Sequence, residues 1–231
     1  MLAPAKLTLS LRVVGLRGDG FHLLDAEMVT VSLTDVVECG PGHGLAVEGP
    51  HAAGVPVDET NLVCRALAAC GRRARVRVEK RIPAGAGLGG GSADAAAVLR
   101  WAGCTDLSVA ASVGSDVPFC LVGGRARVRG AGEVVEPLPH EDRVFTLLVP
   151  PVAVPTAAVY AAWDRLGGPT ADDGNDLEPA AVAVAPALAR WRERLGAVTG
   201  VEPRLAGSGS TWFVEGEFPG ADRIVVRTVR R

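Results

Sequence analysis

The stretch Pro83-Ala-Gly-Ala-Gly-Leu-Gly-Gly-Gly-Ser92 decides how the rest of the chain is read. Before it, Arg73 to Val78 alternates Arg with Ala or Val, the period of a half-buried strand, and Pro83 closes that strand. Behind it, Ser92-Ala-Asp-Ala-Ala-Ala-Val-Leu-Arg-Trp101 has the Ala and Leu content of a helix. The order is therefore strand, glycine loop, helix. Glycines let a backbone approach a ligand closely, and the N–H groups at a helix start, helped by the macrodipole, favour an anionic phosphate. Five glycines within the seven residues 85–91 would cost too much backbone entropy for a mere connection, so the loop reads as a phosphate cradle.

Two other phosphate-binding classes compete for this stretch. A Walker loop ends in G-K-[ST], but the 24 basic residues include only two lysines, Lys6 within Ala5-Lys-Leu7 and Lys80 within Glu79-Lys-Arg81. Neither fits. Gly85, Gly87 and Gly90 satisfy the spacing G-x-G-x-x-G, with Asp106 downstream. A dinucleotide site, however, places its acidic residue at the end of a second apolar strand, whereas Trp101-Ala-Gly-Cys-Thr-Asp106 is short and turn-like.

On the N-terminal side of the loop, Ala5 to Val14 and Ala26 to Val37 alternate as two strands around the turn-rich Gly15 to Gly20. Residues 40–58 read as a loop with a short strand at Leu45 to Val47, and Asn61 to Cys70 as a helix capped by Asp58, Glu59 or Thr60. Two prolines and a charged cluster at Glu136 to Asp142 place a domain boundary, giving domains 1–140 and 141–231. In the second, the spacing predicts a strand at Val144 to Val149, helices at Thr156 to Leu166 and Pro179 to Leu195, and strands at Glu202 to Leu205, Thr211 to Val214 and Arg223 to Val229. The alternating arginines at 73–77 and 125–129 read as solvated strand faces.

The 231 residues are 48% hydrophobic and carry a net charge of −2, so the chain can bury a core and presents no field for nucleic acid. Five cysteines form no C-x-x-C pair, which suits a reducing compartment and a cytoplasmic location. The uncharged run Pro179 to Ala189 is too short for a bilayer and holds Pro186, so no membrane partner is expected. His43, His51 and His140 read as loop histidines, and Asp94 as a complement to the helix dipole.

Several separated motifs accompany the glycine loop: Ala3-Pro-Ala-Lys-Leu7, Asp19-Gly-Phe-His22, Gly114-Ser-Asp-Val-Pro-Phe119, Asn175-Asp-Leu-Glu178 and Leu205-Ala-Gly-Ser-Gly-Ser-Thr211. The set resembles the GHMP kinases and, within them, the branch acting on 4-diphosphocytidyl-2-C-methyl-D-erythritol, from residue 3 to about 214. The resemblance implies an α+β, two-domain fold: a ribosomal S5 domain 2-like N-terminal domain and a ferredoxin-like C-terminal domain lacking some helix. It implies ATP-dependent phosphorylation of a substrate hydroxyl in the non-mevalonate route to isoprenoids, with Mg²⁺ carried by the nucleotide, since no His, Cys, Asp or Glu cluster has metal-ligand spacing.

By the same resemblance Lys6 and Asp116 form the catalytic pair, a carboxylate accepting the hydroxyl proton beside an ammonium that offsets charge. Pro83, Ala84, Gly85, Ala86, Gly87, Leu88, Gly89, Gly90, Gly91 and Ser92 hold ATP, and Gly207, Ser208 and Gly209 form a C-terminal glycine motif. Thr8, Phe21, His22, Thr156 and Tyr160 face the substrate, the aromatic and imidazole rings serving the cytosine. Residue types alone leave Asp116 as a helix cap, Lys6 as a solvated strand lysine and Tyr160 as a core tyrosine. The chain departs from the family pattern at Thr8 and Ala93, where Asn and a second Ser are usual, and in the 24 residues from Ser92 to Asp116, a short excursion. A GHMP kinase for another alcohol, or a trimmed nucleotide-binding relative without catalysis, are the alternatives.

Overall fold

The computed structural model describes residues 1–230. Two long strands, β1 (Leu2–Leu16) and β2 (His22–Gly40), pair antiparallel across the loop at 17–21. After β3 (Gly44–Glu48) and α1 (Leu62–Ala69), β4 (Arg75–Glu79) returns parallel to β3 and antiparallel to β2. The glycine loop leads into α2 (Gly90–Trp101), followed by α3 (Leu107–Val113) and α4 (Val117–Val122). Then β5 (Arg125–Gly130) and β6 (Val134–Leu138) complete a sheet in the order β3-β4-β2-β5-β6, with β1 laid on β2. Ala93 and residues 95–99 of α2 are all buried, because a run of small side chains lets this helix sit close against β1 and β2.

Strand β1 does something simple alternation does not show. Its register shifts between Pro4 and Lys6 and again between Thr8 and Ser10. Ala3 and Leu11 belong to the main core, whereas Ala5, Leu7 and Leu9 belong to a second cluster with Ile82, Leu88, Phe145 and Phe213. Two irregularities thus rotate the segment between them by one face, and the polar residues at 6 and 8 turn to the side where the helices lie. Bulges beside active sites commonly re-aim a side chain in this way.

The second sheet is built from β7 (Val144–Leu148), β8 (Arg204–Leu205), β9 (Trp212–Glu215) and β10 (Ile224–Arg227), in the order β10-β7-β9-β8. Between β7 and β8 stand α5 (Thr156–Arg165), α6 (Glu178–Val184) and α7 (Ala187–Thr199), and no helix lies between β9 and β10. This is ferredoxin-like connectivity with one helix missing. The halves are tied together: Val31 bridges to Thr228, Leu11 to Asn175, and both hydrophobic clusters draw residues from each sheet.

Some expectations change. The helix expected over Pro179 to Leu195 is two helices, because Pro186 offers no N–H to continue α6 and instead opens α7. Asn61, not Asp58, Glu59 or Thr60, caps α1, its Oδ1 accepting from Val63 N at 2.9 Å. The strand expected from Glu202 is only Arg204–Leu205, and the last strand is the shorter Ile224–Arg227. Four of the stripe arginines are paired with carboxylates, Arg77 with Glu38 and Glu48, Arg125 with Glu27 and Glu141, Arg127 with Asp25 and Arg129 with Glu136. Among the described residues no helix is long and apolar enough to cross a membrane.

Candidate active site

The glycine loop is locked to parts of the chain far from it in sequence. Leu88 buries its side chain in the second cluster while its carbonyl accepts from Lys6 N at 3.0 Å. At Gly89, with φ of +67°, a Cβ would stand 2.7 Å from Lys6 Cγ, so only glycine allows the lysine to lie against the loop. At Gly87, a Cβ would stand 2.5 Å from the Ala206 carbonyl oxygen and 2.7 Å from that of Gly209, which seats the loop on the C-terminal glycine motif. Thr211 adds a bond from its hydroxyl to the Ala86 carbonyl at 2.7 Å. Asn175 holds the other motif, its Nδ2 donating to the carbonyls of Leu205 at 2.9 Å and Gly207 at 2.8 Å.

Lys6, 5% exposed, donates from Nζ to Thr8 Oγ1 at 3.0 Å and lies 3.3 Å from Asp116 Oδ2. The capping reading of Asp116 does not hold: the residue precedes α4, but its side chain makes no cap hydrogen bond. Its carboxylate is 34% exposed and opens on a cavity of about 690 Å³ that also takes in Lys6, Thr8, Gly87, Ser92, Gly207 and Ser208. Thr8 lines this cavity as well, and accepting from Lys6 leaves its hydroxyl O–H free to donate. Pro83 to Ala86 line a second cavity of about 810 Å³, with His51, Pro150 and Val152 among its walls. The glycine loop therefore stands between two hollows, with Ser92 in the first turn of α2 reaching the inner one.

The same inner cavity is lined by Phe21, His22, Thr156 and Tyr160. Tyr160 stacks on His22 with centroids 4.7 Å apart, and Thr156 Oγ1 meets Ser208 Oγ at 3.0 Å. Burial, with the nearby Asp116 charge, raises the Tyr160 phenol above its ordinary pKa, so it remains a neutral aromatic. Phe21 is exposed, with the Arg17 guanidinium 5.2 Å from its ring centroid. The motifs from residues 3 to 211 thus meet around one hollow.

One cluster was not foreseen. Asp94 is no dipole complement: with Lys80 and Asp35 it forms a buried network behind the loop. Lys80 Nζ donates to Asp35 and, at 2.7 Å, to Asp94 Oδ2. Asp35 Oδ1 accepts from the backbone N–H groups of Arg81 at 2.6 Å and Ile82 at 2.7 Å. The strand before the loop and the helix after it are thereby clamped to β2. Two carboxylates share one cation, Asp94 Oδ1 has no partner, and burial pushes the Asp94 carboxyl up to about 7. Local patterns gave no signal for this, since Asp35 and Lys80 lie 45 residues apart.

Residues 60–124 match the GHMP kinases N terminal domain family. The chain is 40% identical to 4-diphosphocytidyl-2-C-methyl-D-erythritol kinase of Paracoccus denitrificans (strain Pd 1222), over 91% of this chain and 84% of that one. It is 41% identical to the enzyme of the same name from Cereibacter sphaeroides (strain ATCC 17025 / ATH 2.4.3), over 91% and 87% of the two chains. Among solved structures, a 4-(cytidine 5'-diphospho)-2C-methyl-D-erythritol kinase superposes with a TM-score of 0.72 at 35% identity, covering 95% of this chain and 90% of that one. A mevalonate kinase shares the fold at a TM-score of 0.57 and 12% identity, covering 97% of each chain. With its motifs gathered around one hollow and this identity across nine-tenths of its length, the chain belongs to the 4-diphosphocytidyl-2-C-methyl-D-erythritol kinase family of GHMP kinases.

Proposed function

We propose that the chain transfers the γ-phosphoryl group of ATP to a hydroxyl of 4-diphosphocytidyl-2-C-methyl-D-erythritol, with Asp116 as the proton acceptor and Lys6 as the charge-neutralising partner. The observation that carries this reading is the Lys6–Asp116 pair, 3.3 Å apart, in the hollow shared by the glycine loop and the aromatic cluster. Phosphoryl transfer asks a protein chiefly to position groups and offset charge. The substrate spans the inner cavity with its cytidine end at His22 and Tyr160 and its erythritol hydroxyl near Asp116 Oδ2. That oxygen takes the hydroxyl proton as the new O–P bond forms, while the Lys6 ammonium offsets the charge on the transferred group. The N–H groups of the glycine loop and the start of α2 receive the phosphates, and the outer cavity walled by Pro83 to Ala86 takes the nucleoside end.

The donors present fit a magnesium ion brought by the nucleotide: the Ser92 hydroxyl and the Asp116 carboxylate are hard oxygens in the same hollow, and no cluster of three or more ligating side chains forms a cage among the described residues. Bound there, it would supply charge neutralisation on the phosphate oxygens. A cytoplasmic location is part of the same proposal, supported by five free cysteines. The test is ADP release from ATP with the cytidine compound, homoserine or mevalonate as acceptor. We expect release with the cytidine compound alone. Turnover of another alcohol in its place, or ATP binding with no turnover of any acceptor, contradicts the reading.

A further inference from the structure

We propose that Asp164 is a positioning residue that makes His22 select a base edge carrying an amino group, cytosine rather than uracil. The inference rests on the reading that the inner cavity holds the cytidine end of the substrate. His22 opens β2, and its ring is held by three side chains of α5, Tyr160 and, one helical turn further on, Trp163 and Asp164. Tyr160 stacks on it at 4.7 Å and 27°, and Trp163 meets it edge-on at 5.6 Å and 88°. Trp163 is itself fixed, its indole Nε1 donating to the Pro169 carbonyl at 2.9 Å. Asp164 Oδ1 lies 2.8 Å from His22 Nε2.

An ionised carboxylate only accepts, so the proton of the neutral imidazole sits on Nε2 and Nδ1 keeps its lone pair. Nδ1 has no hydrogen-bond partner among the described residues and is not a buried orphan, so it is open to the cavity that His22 lines. A fixed lone pair accepts from the exocyclic amino group of cytosine. Uracil presents a carbonyl at the same place, and two acceptors then face each other with neither satisfied. A site built to pair one polar group rejects the analogue lacking it by a factor on the order of ten or more. Asp164 is itself 55% exposed and buries nothing, so replacing it leaves the core intact.

The experiment compares kcat/KM for the cytidine substrate and its diphosphouridyl counterpart in the wild type, Asp164→Asn and Asp164→Leu, together with ¹⁵N NMR of the His22 imidazole. Asparagine can donate or accept and so releases the tautomer; leucine can do neither. We expect the wild type to prefer cytidine and to carry the His22 proton on Nε2. In both variants the preference should fall by about tenfold, through KM and not kcat, as the ring populates both tautomers. A preference that survives unchanged in both variants, or a wild-type proton on Nδ1, overturns the role of Asp164 alone. A wild type with no preference overturns the cytidine reading as well. The NMR measurement on the wild type stands even where a variant fails to fold.

Discussion

Lys6 and Lys80 are the only lysines in the chain, both are nearly buried at 5% and 3% exposure, and both lie against the glycine loop, yet their surroundings differ. Lys6 stands on the inner, open side of the loop, facing a hydroxyl and one carboxylate that is 34% exposed to the cavity. Lys80 stands behind the loop, between two carboxylates sealed from solvent. The first can redistribute its interactions when a phosphate arrives. The second has its charge committed to holding strand, loop and helix together. Placing one ammonium on each side separates the chemistry of the cradle from its architecture.

That contrast breaks if the two lysines respond alike to removal. Lys80→Met leaves Asp35 and Asp94 buried without a cation, and stability should fall by about 4 kcal/mol in a denaturant titration. Lys6→Met should leave the melting temperature close to that of the wild type while lowering kcat for ADP formation by about 10² to 10³-fold, the size of effect expected for a group that stabilises developing charge. A large loss of stability in the Lys6 variant, or none in the Lys80 variant, would erase the distinction.

A smaller effect sharpens it. The Asp94 carboxyl is pushed from 3.8 up to about 7 in the fold. Between those values the folded protein keeps a proton that the unfolded chain has released, so stability falls as pH rises through the interval and levels off above it. Asp94→Asn leaves Lys80 with one carboxylate and lacks this slope. Its melting temperature relative to the wild type should therefore climb with pH, reaching a gain of about 3 °C above pH 7, and a constant difference across the range would remove the surplus-charge account.

What could be read from the sequence was what local pattern encodes. The glycine loop from Pro83 to Ser92 announces itself through entropy, the strand before it through its period of two and the helix after it through its Ala and Leu content. The gathering of Lys6, His22, Asp116, Asn175 and Gly207 came from the resemblance, since no periodicity relates positions so far apart. The rest depends on contacts across long separations. Asp35 looks like any polar residue of an alternating strand, and only the fold shows it capping the N–H groups of Arg81 and Ile82. Asp164 falls on the exposed side of a predicted helix, and its partner His22 is 142 residues away. The rotation of Lys6 and Thr8 into the cavity follows from two register shifts that leave no mark in the alternation of residues 5–14.

Whether chemistry occurs at Asp116 beside Lys6 is decided by rapid-quench phosphorylation of the cytidine substrate by Asp116→Asn, with ATP affinity measured in parallel. The amide keeps the shape of the carboxylate but cannot take the hydroxyl proton. Phosphorylation should fall by about 10² to 10⁴-fold while ATP affinity stays within a few-fold of the wild type. A variant that phosphorylates at close to the wild-type rate would show that the proton is accepted elsewhere.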